Sequence, residues 1–228
     1  MHSSDTNGRR FHVILAAIFI IGLMVGAGGA YVVFQTQLAQ LTSVLEKARA
    51  PSLPTFAPVG LDTKSTALLL LDFTPSICYR RATCNATIPN VQALLTKARN
   101  ARVPIAYTRI PVRELSNRTG EVVITNDKGA DKFYGTELDA WLRDKGARTV
   151  VVVGIAANGA VLYTAFEATL RGYTVVVAAD CVVSDSDYVQ NYTLFQLLNQ
   201  PGRSNAENKP LAPSAVTLSA VALIQFAS

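Results

Sequence analysis

The chain has 228 residues, of which 50% are hydrophobic and 16% charged, and its formal net charge is +5. The basic residues are scattered and form no continuous stripe, which argues against a nucleic-acid-binding surface. The apolar content and the length instead indicate a folded domain with a sizeable core.

The amino-terminal region is strongly apolar. Residues 11–34 contain almost only apolar side chains, and Arg9 and Arg10 precede them. A run of this length can cross a bilayer as a helix, and the preceding arginines favour a cytoplasmic tail at residues 1–10. We therefore predict a membrane anchor that places the following domain outside the cytoplasm. A cleaved signal peptide is the alternative, since residues 26–30 are small, and the domain would then be secreted.

Residues 35–60 are predicted to form a stalk and a linker. The first part has leucines at helical spacing, and the second part is rich in proline. The folded domain is therefore predicted at residues 61–228.

Strand-like and helix-like segments alternate along this domain. Short apolar runs predict strands at residues 67–71, 103–107, 150–153 and 174–179, with a last strand at 215–226. Helical spacing predicts helices at residues 88–100, from Thr136 onward, at 158–171 and at 187–198, with loops at 75–87 and 199–214. This alternation favours a three-layer α/β fold with a mostly parallel sheet.

The turn at residues 155–159 is the best candidate for a ligand site. It follows a predicted strand and precedes a predicted helix, and open α/β sheets bind ligands at such places. The N–H groups at a helix amino terminus also attract anions. The residues predicted to contact a small-molecule ligand are Ile155, Ala156, Asn158, Gly159, Ala160 and Tyr163.

The chain contains three cysteines. Cys78 and Cys84 lie close together in one predicted loop, and we predict that they form a disulfide in an oxidising compartment. Cys181 is expected to be a small buried residue. Both histidines, His2 and His12, lie outside the predicted domain, so we expect neither a bound metal nor another cofactor.

Four segments carry a resemblance to a known family: TALLLLDF, ARVPIAYTR, KGADKFYGTELDAWLRDKGARTVVVVG and GIAANGA. In this order they resemble motifs of the isochorismatase-like family, the cysteine hydrolases, over most of residues 66–184. The resemblance implies the three-layer fold of that family and self-association, which is common among its members. It does not imply activity, because one fold can support different functions.

The resemblance also assigns roles to individual residues. In family members that hydrolyse amides, an aspartate after the first strand acts as a base, a lysine assists, and a cysteine at a helix start attacks the carbonyl. The aspartate corresponds to Asp72 and the lysine to Lys128. Lys132 is the alternative, because Lys128 precedes Phe133 by five residues where family patterns commonly have six. The cysteine position falls on Ala160, which offers no nucleophile.

Isochorismatases, after which the family is named, cleave a vinyl ether and also lack a cysteine at this position; their aspartate acts as an acid. We therefore expect a hydrolase of a small polar or anionic molecule, with Asp72 as general acid/base. The turn differs from that of isochorismatases, so another substrate is expected. The alternative is an inactive family member that serves as a small-anion sensor or an oligomeric scaffold.

Overall fold

The computed structural model describes residues 27–48, 51–125 and 129–227. The chain divides into two compact units, Met1–Arg49 and Ala50–Ser228. The described residues of the first unit form helix α1 (Ala27–Ala48). Most of the predicted span at residues 11–34 and the whole predicted tail lie outside the described residues. No helix in the described part is long and apolar enough to cross a membrane.

Within its described residues, the second unit contains a six-stranded parallel sheet. Its strands are β2 (Thr66–Leu71), β3 (Ile105–Thr108), β4 (Val122–Ile124), β5 (Thr149–Ile155), β6 (Thr174–Val183) and β7 (Val216–Ser219). They are ordered β4-β3-β2-β5-β6-β7 across the sheet. Strands β1 (Val59–Asp62) and β8 (Ile224–Ala227) form a separate parallel pair.

Helices connect the strands. They are α2 (Pro75–Cys78), α3 (Ala82–Asn100), α4 (Leu138–Asp144), α5 (Leu162–Leu170) and α6 (Asp187–Leu198). A π-helical turn (Ala157–Val161) precedes α5, and 3-10 turns occupy Arg113–Leu115 and Val221–Leu223. The predicted three-layer α/β fold with a mostly parallel sheet is thus confirmed.

Both faces of the sheet are covered. Leu68 and Leu70 of β2 belong to one core cluster, which includes side chains of α3, whereas Leu69 and Leu71 belong to the other, which includes side chains of α5. All six residues of β2 are therefore buried, which explains its uninterrupted apolar run in the sequence.

The start of α3 differs from the prediction. Residues 75–87 were expected to form a loop, but they contain α2 and the first turns of α3, which begins at Ala82 rather than at residue 88. Cys84 is fully buried and extends the helical stripe of Ile88 and Val91 by one turn. Small and polar neighbours of Cys84 conceal this stripe in the sequence.

The last predicted strand is interrupted. Residues 215–226 contain β7, a 3-10 turn and most of β8, which leaves the main sheet to pair with β1. Both carboxylate oxygens of Asp180 accept a hydrogen bond from the N–H of Val221, each at 3.1 Å. This contact holds the chain where it departs from the sheet.

Two further boundaries differ from the predictions. Helix α4 begins at Leu138 rather than at Thr136, whose hydroxyl accepts a hydrogen bond from the Leu138 N–H at 3.2 Å. The end of the predicted linker packs against the domain, since Ala57 is buried and its N–H donates to the carbonyl oxygen of Leu218 at 2.9 Å.

A polar cluster ties α3 to the edge of the sheet. Arg99 contacts both carboxylate oxygens of Glu121, at 2.7 and 2.9 Å, and the hydroxyl of Tyr107 donates to the same carboxylate at 3.0 Å. The backbone N–H of Arg118 adds a bond of 2.7 Å. Burial acts to raise the pKa of Glu121, but these hydrogen bonds outweigh burial and hold the pKa below its ordinary value.

We predict that Glu121→Gln lowers the free energy of unfolding by about 2–4 kcal/mol near neutral pH, because charge-assisted hydrogen bonds are lost. A carboxyl group with a lowered folded-state pKa stabilises the fold above its ordinary pKa of 4.5 and loses this effect as the pH falls through the folded-state value. The difference in free energy of unfolding between the wild type and Glu121→Gln, measured with urea, should therefore be smaller at pH ~3.5 than at pH ~7. Glu114→Gln, at an exposed position, is the control. An equal loss of stability in both variants would contradict a stabilising role of the Glu121 hydrogen bonds.

Candidate active site

Asp72 lies directly after β2, at the carboxyl end of the sheet. Its backbone is in the left-handed region, with φ 56°, and its N–H donates to the hydroxyl of Thr108 at 3.1 Å. The same hydroxyl donates to Oδ1 of Asp72 at 3.0 Å. Thr108 therefore orients both the backbone and the carboxylate of Asp72, whose side chain is 13% exposed.

Gly154 brings the neighbouring strand close to this aspartate. It pairs with Leu71 in the β2–β5 ladder, and a Cβ at Gly154 would lie 2.6 Å from the Leu71 Cβ and 2.8 Å from the Leu71 carbonyl oxygen. These distances are shorter than any normal contact, so only glycine fits. The close approach places Asp72 beside the end of β5.

Lys132 is the cationic partner of Asp72. Its Nζ lies 2.8 Å from Oδ2 of Asp72, and its side chain is 1% exposed. The ammonium group also donates to the carbonyl oxygen of Gly129 at 3.0 Å. The backbone of Lys132 is held on both sides, because its N–H donates to Thr164 at 3.1 Å and its carbonyl oxygen accepts from Thr136 at 2.6 Å. The lysine is thus positioned by its backbone as well as by its charge.

Aromatic and charged groups support the residue that follows Lys132. The ring of Phe133 stacks on Tyr173 with centroids 6.1 Å apart, and the guanidinium of Arg171 lies 5.0 Å from the Phe133 centroid. The Tyr173 hydroxyl donates to Asp139 at 2.8 Å. Burial and this carboxylate raise the pKa of Tyr173 to about 12, so the phenol remains a donor at neutral pH.

The turn after β5 is irregular. The Ile155–Ala156 peptide bond is cis, and the following π-helical turn places Gly159 at φ −122° and ψ −108°. The carbonyl oxygen of Ala156 accepts hydrogen bonds from the N–H groups of Gly159, at 3.0 Å, and Val161, at 3.3 Å. Backbone N–H and carbonyl groups of the turn therefore bond to one another and stabilise its conformation.

Ala160 lies in this turn and is 4% exposed. Thr164 follows it by four residues, so the two side chains lie on the same face of the helical segment. Because Thr164 contacts the backbone of Lys132 directly, this face points toward the lysine-bearing loop. Ala160 therefore lies one helical turn before the residue that contacts the backbone of Lys132.

The other residues predicted for the turn differ in exposure. Ile155 is buried, Ala156 and Gly159 are partly buried, and Asn158 is exposed. Tyr163 is 52% exposed and lines a separate depression of about 180 Å³ with side chains that include Phe166 and Gln200. Thr164, the next residue of α5, accepts the hydrogen bond from the Lys132 N–H in the lysine-bearing loop.

None of the three cysteines of the chain offers a reactive thiolate in this structure. Cys78 and Cys84 are joined by a disulfide, as their spacing suggested. Cys181 is fully buried, and burial together with Asp180 raises the pKa of its thiol strongly. Among the described residues, no group of three His, Cys, Asp or Glu side chains could hold a metal ion.

Of the two lysines considered from the sequence, Lys132 forms an ion pair with Asp72. Lys128, the lysine first assigned to the site, lies outside the described residues, so its role stays a prediction. Three threonines that were not predicted as site residues, Thr108, Thr136 and Thr164, hold Asp72 and Lys132 in place. Thr108 ends the strand beside β2, and Thr164 follows Ala160 by one helical turn, so both positions could have been found by these relations.

This arrangement supports proton transfer next to a fixed positive charge. The Asp72 carboxylate is oriented by two side chains and remains partly accessible. A buried ammonium group at 2.8 Å can stabilise negative charge that develops on a ligand. Arg109 adds a second cation, with Nε 3.7 Å from Oδ1 of Asp72 and a side chain that is 48% exposed.

We predict that Gly154→Ala destabilises the protein by about 1–3 kcal/mol, because the added methyl group forces the backbones of β2 and β5 apart. Gly60→Ala is the matched control, since a Cβ at Gly60 has no atom within 4 Å. Thermal or urea unfolding of the two variants measures the effect. Equal stability of both variants would show that the approach of Gly154 to Leu71 is not required.

Comparison with known proteins agrees with this fold. Residues 66–203 match the Isochorismatase domain family. An uncharacterised isochorismatase family protein of Bacillus subtilis (strain 168), YaaI, is 27% identical over 134 residues, which cover 49% of this chain and 74% of that protein. The secreted isochorismatase effector Isc1 of Verticillium dahliae (strain VdLs.17) is 28% identical over 145 residues, or 55% of this chain and 76% of that protein.

A solved structure shows the same architecture. A cysteine hydrolase from Pseudomonas syringae pv. phaseolicola 1448A superposes with a TM-score of 0.60 at 16% identity, covering 76% of this chain and 95% of that chain. At this identity, the likeness shows the fold alone. The family match, in contrast, extends over more than half of the sequence and includes β2 to α6. The chain therefore belongs to the isochorismatase family.

Proposed function

We propose that the chain is a hydrolase of a small polar or anionic molecule that works without a cysteine nucleophile, with Asp72 as general acid/base. The observation that carries this proposal is the ion pair between Asp72 and Lys132 at the carboxyl end of the sheet. Ala160 occupies the position where the family resemblance would place a nucleophilic cysteine. The site thus retains a proton-transfer group but has no thiol for covalent catalysis.

Asp72 has the properties that such a role requires. A general acid or base must reach a proton of the substrate in a defined orientation. Thr108 and Lys132 each engage one carboxylate oxygen, and the side chain keeps partial exposure. In hydrolysis of an enol ether, protonated Asp72 would transfer its proton to the substrate carbon, and water would add to the resulting oxocarbenium ion and return a proton to the Asp72 carboxylate. The hemiketal then collapses: its ether C–O bond breaks, and the hydroxyl proton passes to the departing oxygen, which leaves as an alcohol.

Two cationic groups lie next to the Asp72 carboxylate. Lys132 Nζ is 2.8 Å from Oδ2, and Arg109 Nε is 3.7 Å from Oδ1. These groups can stabilise negative charge that develops on a substrate during the reaction.

We place the domain outside the cytoplasm. The Cys78–Cys84 disulfide suits an oxidising compartment, and one relative is described as secreted. In this proposal the apolar segment at residues 11–34 anchors the chain in the membrane or is cleaved to release the domain. Self-association, which the family resemblance implies, belongs to the same proposal.

A small-anion binding or sensor module is the second candidate. Ala160 supports it, because an amide hydrolase of this family without its nucleophile would lose most of its turnover. The cations around Asp72 would still bind a carboxylate. Measurement of turnover separates this candidate from the hydrolase, since a sensor binds the same molecules without converting them.

We predict that Asp72→Asn lowers turnover by at least about 100-fold, because it removes the proton-transfer group. The full-length chain should be tested against a panel of vinyl ethers, amides and small acids, with products identified by mass spectrometry. The exposed Asp187→Asn is the matched control. Circular dichroism must show that Asp72→Asn is folded, because the substitution leaves the buried Lys132 without its carboxylate; Asp72→Glu keeps the charge if it is not.

The outcomes of this experiment separate the candidates. Turnover by the wild type that survives Asp72→Asn in a folded protein would overturn the role of Asp72. Binding of panel molecules without conversion by the wild type would support the sensor instead of the hydrolase.

We also predict that Lys132→Gln reduces turnover more strongly than Lys128→Gln, because Lys132 forms the ion pair with Asp72. Since the variant loses a buried charge close to the reacting groups, a reduction of at least about 100-fold is expected. Lys209→Gln, at a side chain that is 73% exposed, is the surface control. The ratio of kcat/KM among the three variants measures the effect. A larger loss in Lys128→Gln would assign the catalytic role to that residue.

A further inference from the structure

A second concave surface lies at the opposite end of the sheet from Asp72. It is a depression of about 410 Å³ near the amino ends of β3 and β4, and we call it the basic basin. The described residues that line it include the basic side chains of Arg99, Arg102, Arg118 and Lys145. Residues 103–105 and 119–121 complete the described lining. Since all strands of the sheet are parallel, the basin lies at the amino ends of the strands and the Asp72 site at their carboxyl ends.

Among the described residues that line the basin, Glu121 is the acidic one, and its charge is already compensated. Glu121 accepts two hydrogen bonds from Arg99, one from Tyr107 and one from the N–H of Arg118. The charge of Arg99 is compensated by the same contacts. The negative charge of Glu121 is therefore already compensated and does not offset the positive charges of the other basic residues of the basin.

The remaining cations leave an excess of positive charge. Within the described part of the chain, the guanidinium groups of Arg102 and Arg118 form no ion pair. Lys145 pairs with its neighbour Asp144 at 2.8 Å, but the two side chains are 41% and 70% exposed, and such exposed pairs contribute little. The two like charges of Arg102 and Arg118 at one depression repel each other, and an anion between them would relieve this repulsion.

The basin is open to solvent and has room for a small ligand, since its volume is about 410 Å³. The planar guanidinium groups of Arg102 and Arg118 match phosphate oxygens geometrically. Gly120 has φ 91° and open space where a side chain would begin, so a ligand has room to approach the backbone of this loop.

We infer that the basic basin binds a small phosphate-bearing anion, at a site separate from the Asp72–Lys132 pair. The ligand contacts Arg102 and Arg118 and lies beside the loop at residues 119–120. The inference rests on the shape and charge of the basin and does not depend on the reaction proposed for Asp72.

The test is a titration of the ¹⁵N-labelled full-length chain, in a nonionic detergent and at constant ionic strength, with inorganic phosphate and with glycerol phosphate. We expect saturable shifts of the Thr119 and Gly120 amide signals, while those of Gly159 and Ala160 stay unchanged. Chloride should give no saturable shift. Tighter binding of glycerol phosphate than of inorganic phosphate would identify an organic phosphate as the ligand, and the reverse order would identify free phosphate.

Substitutions of basin residues provide a second test. Arg102→Gln and Arg118→Gln should each weaken the affinity about tenfold, since each removes a charge-assisted contact. Arg80→Gln removes the same charge at an exposed position outside the basin and should leave the affinity unchanged. The inference is overturned if no saturable shift occurs at Thr119 and Gly120, if the shifts occur only at Gly159 and Ala160, or if Arg80→Gln weakens binding equally.

Discussion

The ion pair between Asp72 and Lys132 is the interaction on which the candidate site depends. The lysine side chain is almost completely buried, and a buried charge is stabilised by an oppositely charged group in contact with it. The contact with Asp72 joins the end of β2 to the loop that carries Lys132. Thr164 and Thr136 hold this loop through its backbone, so the turn containing Ala160 is joined to the same assembly. Three separate segments of the chain are thus fixed around one charged contact.

The parallel sheet separates two groups of charged residues. The carboxyl ends of the strands carry Asp72 with its cationic neighbours Lys132 and Arg109. The amino ends of β3 and β4 carry the basic basin. The Asp72 carboxylate is held by Thr108 and Lys132 and stays partly exposed, whereas the Glu121 carboxylate accepts hydrogen bonds from Arg99, Tyr107 and Arg118. The two proposals, acid–base chemistry at Asp72 and anion binding at the basin, follow from this difference.

Much of the fold could be predicted because strands buried on both faces leave uninterrupted apolar runs in the sequence. The predictions failed where a contact between distant residues overrides the local pattern. The first turns of α3 are concealed by polar residues around the buried Cys84, and the bond from Val221 to Asp180 accompanies the departure of the last strand from the main sheet. These features depend on packing partners that lie far away in the sequence and have no local signature.

The sequence by itself determined the alternation of the predicted strands and helices and the position of Asp72 after the first buried strand of the sheet, which follow from residue type and local spacing. Strands β1 and β4 and helix α2 were not predicted. The family resemblance, and not local spacing, marks position 160 as the place where a nucleophile is missing. The tertiary structure decided that Lys132 pairs with Asp72, that Thr108 orients the carboxylate, and that Tyr163 lines a different depression. The physical reason is that the path of a loop and the direction of a side chain are set by packing between segments, which residue spacing alone does not specify.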